Sequence, residues 1–344
     1  MPGPRSHGGA RRHIRICRGA DTDAYGALPS PQNWVWVPLL GDGMKMKATA
    51  PRYVPDTNYS EDFRQQIAIH HRQEVAGNIT TLPWPEVTQF LLDMALLRVA
   101  NPLSPTYQDL YQHVVEHHTP EDPRRHYGCV ANTLGISATG TGANDVQFTL
   151  GLIGQREVEI GWEASDYSGV TPAPFMFAHA ELRVDTTLVT DVENWKINVD
   201  NKVAEAPFIW ANDVKMAVRA YAIAGGLRSV TLDLTKLNNT RNFNRHIRRG
   251  TYATFEALFR HPLGHIMQIL LPYLAVEESD EDGTPSAKAK EAPKMIALKA
   301  PSGPYAGQDI IVSVDLAAGG TTTLAAIPPW TTTPAPATTT TTLP

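Results

Sequence analysis

Apolar and polar residues alternate with a period of two along several stretches of the chain. Tyr127–Thr139 sets Val130, Leu134 and Ile136 on one side and Ala131, Thr133 and Ser137 on the other. Asp145–Ile153 sets Val146, Phe148, Leu150 and Leu152 against Asp145, Gln147 and Thr149. Farther on, Trp195, Ile197 and Val199 oppose Asn194, Lys196, Asn198 and Asp200, and Val230, Leu232 and Leu234 oppose Ser229, Thr231, Asp233 and Thr235. Strict alternation is the signature of a strand with one face buried. The Gly-rich run 140–144 between the first two strands predicts a hairpin.

Other elements follow from similar cues. Residues 33–40 (NWVWVPLL) and 75–82 read as strands, with a turn at 41–43 (GDG). Pro83-Trp84-Pro85-Glu86 opens a helix, since proline costs nothing in a first turn whose N–H groups lack partners anyway. Val87, Phe90, Leu91, Leu92, Met94 and Leu97 give that helix a broad apolar stripe through residue 99, and Pro102 and Pro105 stop it. Residues 106–118 fit a short helix or a strand, and 204–218 a loop carrying Phe208, Ile209 and Trp210. A short amphipathic helix is expected over 238–249, then strands from 251 and over 175–184, 294–300 and 308–316, with an apolar run at 264–276 broken by Pro272. The acidic, mixed-charge segment 277–293 is expected as an exposed loop.

The two halves share an order of strand, strand and helix. VAGNITTLPWPEVTQFLLD and GLRSVTLDLTKLNNTRNFNRHI both run from a glycine-containing strand into a helix. The polar connection 161–174 divides them. The expected plan is a basic flexible arm (1–31), a first β domain (32–165), a second (170–318), and a Thr/Pro-rich arm (319–344). Each domain is expected to be a β-sandwich or half-barrel with a flanking helix.

Composition narrows the function. With 42% hydrophobic residues over 344 positions the chain can build a substantial core. A formal charge of -5 does not suit a protein that grips nucleic acid over a broad face. The two cysteines, Cys17 and Cys129, make neither a disulfide framework nor a paired metal motif. No apolar run reaches the ~18 residues a membrane helix needs, so no membrane insertion is expected. Arg5, Arg11, Arg12, Arg15 and Arg18 make the N-terminus basic, and Thr and Pro dominate the stretch beyond Gly319, where Trp330 is a candidate contact with a neighbouring subunit.

His113 and His117 are spaced for one helix face, but no third ligand follows, and the Asp280–Gly283 run lacks calcium-loop spacing. No nucleophile elbow, phosphate loop or dinucleotide fingerprint occurs, so no catalytic residue, metal or cofactor is assigned. Arg241, Arg245, Arg248 and Arg249 are either a solvated helix face or a partner for an acidic surface such as 277–282.

Against this background the stretch TDVENWKINVDNKV, followed by GGLRSVTLDLTKLNNTRNFNRHIRRGTYATFEALF, resembles the tail tube proteins of long-tailed bacteriophages. GCVANTLGIS and residues 147–154 are similar to the paired strands of that family's first half, and the resemblance runs over residues 60–276. It implies a non-enzymatic structural protein of the virion tail, made in the host bacterial cytoplasm. Its subunits would form rings that stack into a channel for DNA ejection. A double-length chain implies a trimer with pseudo-sixfold symmetry. The implied partners are other copies of itself, the tape measure protein and viral DNA in the lumen, and the tail completion or terminator and distal tail proteins.

A DNA conduit needs a wall that does not hold phosphates. The candidate lumen-facing residues are Thr133, Ser137, Asp145, Gln147, Thr149, Asn194, Lys196, Asn198, Asp200, Ser229, Thr231, Asp233 and Thr235, a set with three acids and one base. The same faces are also what any half-solvated antiparallel sheet presents. Phe208, Ile209 and Trp210 are candidate inter-subunit or inter-ring residues. The alternative reading is another β-rich virion protein or a carbohydrate-binding module, marked by an exposed aromatic platform.

Overall fold

The structure is a computed structural model. It describes residues 12–18, 27–30, 32–49, 52–53, 69–70, 74–96, 98–100, 108–110, 112–139, 145–170, 173–190, 192–211, 214–222, 229–236, 249–279, 294–299, 310–316 and 320–325. The chain begins with β1 (His13–Arg18), β2 (Trp34–Val37), β3 (Leu39–Met44), β4 (Lys47–Thr49), β5 (Arg52–Tyr53), β6 (Ile69–His70) and β7 (Glu74–Thr81). Helix α1 (Pro85–Leu96) follows, then β8 (Arg98–Ala100), β9 (Gln108–Leu110), β10 (His113–His118), β11 (Arg124–Thr139), β12 (Val146–Gly154) and β13 (Arg156–Glu159). After a 3-10 turn at Phe177–His179 come β14 (Ala180–Val184), β15 (Thr187–Leu188), β16 (Val192–Asp200), β17 (Val203–Ala211), β18 (Val214–Ala222) and β19 (Ser229–Lys236). The last are β20 (Ala253–Arg260), β21 (Ile266–Ser279), β22 (Lys294–Lys299), β23 (Ile311–Leu316) and β24 (Gly320–Ala325).

The fold is mainly β, and every pairing is antiparallel. Its largest unit is a wall whose neighbours are β3 and β4 end to end, then β7, β12, β11, β16, β19, β22 and the C-terminal part of β21. The pairing of β11 with β16, from Thr133↔Asp200 to Thr139↔Asn194, carries the wall without a break from one half of the sequence to the other. A second sheet holds β15, β14, β20, β21, β23 and β24. Long β21 serves both sheets, pairing with β20 and β23 before Pro272 and with β22 after it. A third, smaller sheet runs β17, β18, β9, β8.

The apolar side of the wall is the core. Trp195, Ile197, Val199, Val230, Leu232, Leu234, Val146, Phe148 and Leu150 are all buried there. Trp195 reaches the second sheet, with ring centroids 5.8 Å from Phe255 and 6.2 Å from Phe259. Helix α1 packs its Val87, Leu91, Leu92, Met94, Ala95 and Leu96 into the same cluster. Its N-terminus is turned by the Trp84 carbonyl, which accepts from the N–H groups of Val87 and Thr88, and Glu86 complements the helix dipole in the first turn. At its other end Asn201, fully buried, donates from Nδ2 to the carbonyls of Ala95 (2.8 Å) and Ala131 (2.9 Å). One side chain thereby serves the helix end and a β11 carbonyl whose own ladder is interrupted by a bulge.

The N-terminal segment departs from the expected flexible arm. β1 is a central strand between β2 and β10, with Ile14, Ile16 and Cys17 fully buried. Its Arg15 is neutralised by the buried Glu116 and by Glu163 (2.6 Å), and its guanidinium lies 4.5 Å from the Trp34 ring centroid. Arg125 and His118 (3.0 Å) also hold Glu116. Burial alone would raise the Glu116 carboxyl, but the hydrogen bonds from His118, Arg15 and Arg125 outweigh it and hold it at about 2. The basic composition hid a short HIRIC alternation whose one inward charge has a partner about 100 residues away.

Further differences have local causes. Residues 41–43 lie inside β3, where Gly43 lets the strand press on β7: a Cβ there would stand 2.3 Å from the Thr80 carbonyl oxygen. α1 ends at Leu96 and not at 99, and of the helix or strand expected within 106–118 the structure has strands, β9 and β10. The 204–218 segment is the hairpin β17/β18. Pro272 does not break β21, because it falls at a register shift between the pairs Phe255↔Leu271 and Ala253↔Leu274, where its missing N–H leaves no ladder gap. β21 continues to Ser279 into the expected acidic loop, β14 starts only at Ala180, and 320–325 of the expected C-terminal arm pair with β23. The helix expected at 238–249 lies outside the described residues except at its last position. The flanking helix among the described residues is therefore α1, and the core is one cluster drawn from both halves of the chain.

Candidate functional site

The outer face of the wall is a grid set by the ladder register. One row runs Thr80–Thr149–Gly135–Asn198–Thr231–Lys299 across six strands. The next runs Gln147–Ser137–Lys196–Asp233–Ala297, and a third Asn78–Gly151–Thr133–Asp200–Ser229. Thr139 and Asn194 pair beyond them, followed by Thr235. All the candidate residues Thr133, Ser137, Asp145, Gln147, Thr149, Asn194, Lys196, Asn198, Asp200, Ser229, Thr231 and Asp233 are exposed or half-buried, while Leu134, Ile136, Val146, Phe148, Leu150, Trp195, Ile197, Val199, Val230, Leu232 and Leu234 beside them are buried. Thr235 holds the matching register position.

Ala131 leaves this face. A bulge between Ala131 and Thr133 turns it inward, and it is fully buried. Its carbonyl is the one taken by Asn201.

Residues missed in the sequence complete the grid. Ala76, Asn78 and Thr80 of β7 extend it, and the Thr80 and Thr149 hydroxyls lie 3.4 Å apart on the same side. Alternation along EVAGNITT was the available signal. Lys47, opposite Ala76, adds a base, and Lys299, opposite Thr231, and Glu74, opposite Thr49, hold matching register positions. The face is thus close to neutral and has no arginine at these positions. Short hydroxyl, amide and small side chains dominate it. Gly151 sits where rows would otherwise crowd: a Cβ there would stand 2.2 Å from Thr133 Oγ1.

Phe208, Ile209 and Trp210 lie in β17, whose register with β18 shifts at Ile209. Trp330 lies outside the described residues. His113 and His117 stand on a strand, and His113 packs edge-on against Phe90 at 5.8 Å. Among the described residues no group of three His, Cys, Asp or Glu is placed to hold a metal ion.

Such a surface, rich in short polar side chains and backed by a continuous core, suits a structural wall. The chain belongs to the phage tail tube protein family, whose model, described as "Phage tail tube protein", matches residues 23–292. It is a structural, non-enzymatic component of the virion tail. No curated protein matches the sequence.

Proposed function

We propose that the polar face of the wall lines the lumen of the tail tube. Copies of the chain form rings that stack into a conduit for DNA. The observation that carries the reading is the unbroken polar grid across the β11–β16 junction. A wall made for one subunit's solvent surface has no reason to continue in register between halves. One made as a third of a closed barrel does.

The arithmetic fits a trimer. The wall has eight strand positions, counting β3 and β4 as one and the end of β21 as the last. The junction splits them four and four, so each half acts as one of two tandem repeats and three copies make a pseudo-sixfold ring of about 24 strands. At about 4.8 Å per strand this gives a circumference of roughly 115 Å and a backbone diameter of roughly 37 Å before tilt. That leaves room for a duplex, and for the tape measure protein before it. The terminator and distal tail proteins would contact the outermost rings, and residues 208–210 and the terminal segments would contact neighbouring copies.

A wall without arginine and near neutrality releases few counterions to DNA, so a duplex slides on it. Cysteines placed at Asn198 or Thr231 test the assignment. They should react with a bulky maleimide in unassembled chains and be protected at least about tenfold in tubes, whereas a cysteine at exposed Tyr252, just before β20, stays reactive. Equal labelling at Asn198 in both states contradicts the assignment.

A further inference from the structure

We infer that the segment 161–169 is an acid-released clasp, locked onto the N-terminal sheet by His13 and His118. The clasp belongs to the single subunit and stands apart from the lumen assignment.

Strands β2, β1, β10, β11 and β13 pair in that order to make a small sheet. One face of it buries Ile14 and Ile16 in the core. The other carries the register row Trp36–Arg15–Glu116–Arg125, with His13 and His118 paired beside it. After β13 the chain is fastened where the Ile160 N–H donates to the Pro123 carbonyl (3.0 Å), and it then crosses this face. Residues 161–166 are all exposed, yet both histidines that they touch are buried.

Glu163 holds the crossing in three ways. Its carbonyl accepts from His13 Nε2 at 2.7 Å, its N–H donates to His118 Nδ1 at 3.2 Å, and its carboxylate takes Arg15 at 2.6 Å. Trp162 lies edge-on to His13 at 6.2 Å, and Tyr167 edge-on to Trp36 at 6.4 Å.

These contacts fix the protons. The ionised Glu116 accepts from His118 Nε2–H at 3.0 Å. His118 Nδ1 is left with a lone pair, and that lone pair receives the Glu163 N–H. A second proton on His118 would set N–H against N–H. It would also place positive charge 5.1 Å from the His13 ring stacked parallel to it. No anion is spare to absorb that charge, because the carboxylates facing the pair, Glu116 and Glu163, are matched by Arg15 and Arg125. His117, next on β10, takes no part: burial and the charges of Arg12, His118 and His13 hold it at about 4. Histidine is the side chain that ordinarily changes charge between pH 8 and pH 5. The clasp therefore holds at neutral pH and opens as pH falls, uncovering Trp36 and the two imidazoles.

A nitroxide on Ala164→Cys in the full chain tests this, since Ala164 is exposed and native Cys17 and Cys129 are buried. From pH 7.5 to pH 5 the mobile fraction of its spectrum should rise at least about threefold and return on neutralisation. Linked to one proton, the ratio of open to closed can change by up to about tenfold per pH unit. His118→Gln keeps a donor for Glu116 and has no proton to gain, so its label should not respond to pH. His126→Gln, remote from the clasp, should respond as wild type does. A wild-type label equally immobile at both pH values, a His118→Gln chain that responds like wild type, or loosening that coincides with loss of the near-UV circular dichroism signal each overturns the inference. If His118→Gln does not fold, hydrogen exchange of the wild-type chain decides. Corrected for its intrinsic pH dependence, protection of the Glu163 amide should fall at least about threefold by pH 5 while β12 and β16 keep theirs; retained protection overturns the clasp. None of these outcomes bears on the lumen assignment, because neither histidine lies on the polar face of the wall.

Discussion

Asn201 ties together a helix end, a bulged strand and a turn that lie far apart in sequence. Replacing it with alanine leaves the Ala95 and Ala131 carbonyls without their donor, and the expected loss is about 2–3 kcal/mol in urea unfolding. His126 is the clearest acid-sensitive residue. Burial, with the nearby charges of His117 and Arg124, lowers its pKa to about 4, and the Glu157 carboxylate 3.4 Å away is already engaged by Arg124. The unfolded chain takes up that proton near the ordinary value of 6.5, earlier than the folded one. The stabilisation is therefore complete above about pH 6.5 and is lost as pH falls toward 4, by about 3 kcal/mol at most. Melting temperature followed from pH 7.5 to 5 should fall in wild type and fall less steeply in His126→Gln. Neither residue announced its role in the sequence, because each depends on partners that only the fold brings near. Ala131 is the counterpart: alternation put it on the polar face, and a bulge that no sequence period encodes turned it inward.

At the scale of elements, legibility followed periodicity. The strands with strict alternation, β11, β12, β16 and β19, were readable because each buries one face and solvates the other, and their inward residues are the buried ones. α1 was readable from its prolines and apolar stripe. β1 was not, because its basic composition outweighed a six-residue pattern whose charge is neutralised across the sheet. The β17/β18 hairpin and β24 were missed for a related reason: aromatics next to proline, or runs of threonine, read as loop or arm until a partner strand is known. The Glu116 cluster makes a prediction about β1. Glu116→Gln leaves Arg125 without its buried counterion and Arg15 with Glu163 alone, and the expected cost is about 3 kcal/mol. Proteolysis near residues 13–18 should then speed up before global unfolding does.

For the whole molecule, the feature that organises the rest is the continuous wall. Its apolar side is a single core drawn from both halves, and its polar side is a shallow grid of small side chains. The strand count and the join at β11–β16 were beyond the sequence, since neither half specifies which edge meets which. Arginine at Asn198 or Thr231 should leave folding and ring formation unchanged while giving tubes a salt-dependent affinity for duplex DNA, measurable by co-sedimentation. Wild-type tubes should show little. The most direct test of the central claim is an electron cryomicroscopy reconstruction of tubes assembled from the purified chain. The account predicts three copies per ring, with Thr149, Gly135, Asn198 and Thr231 facing a continuous β-lined lumen. A tube in which those residues face outward, with the second sheet against the channel, would contradict it.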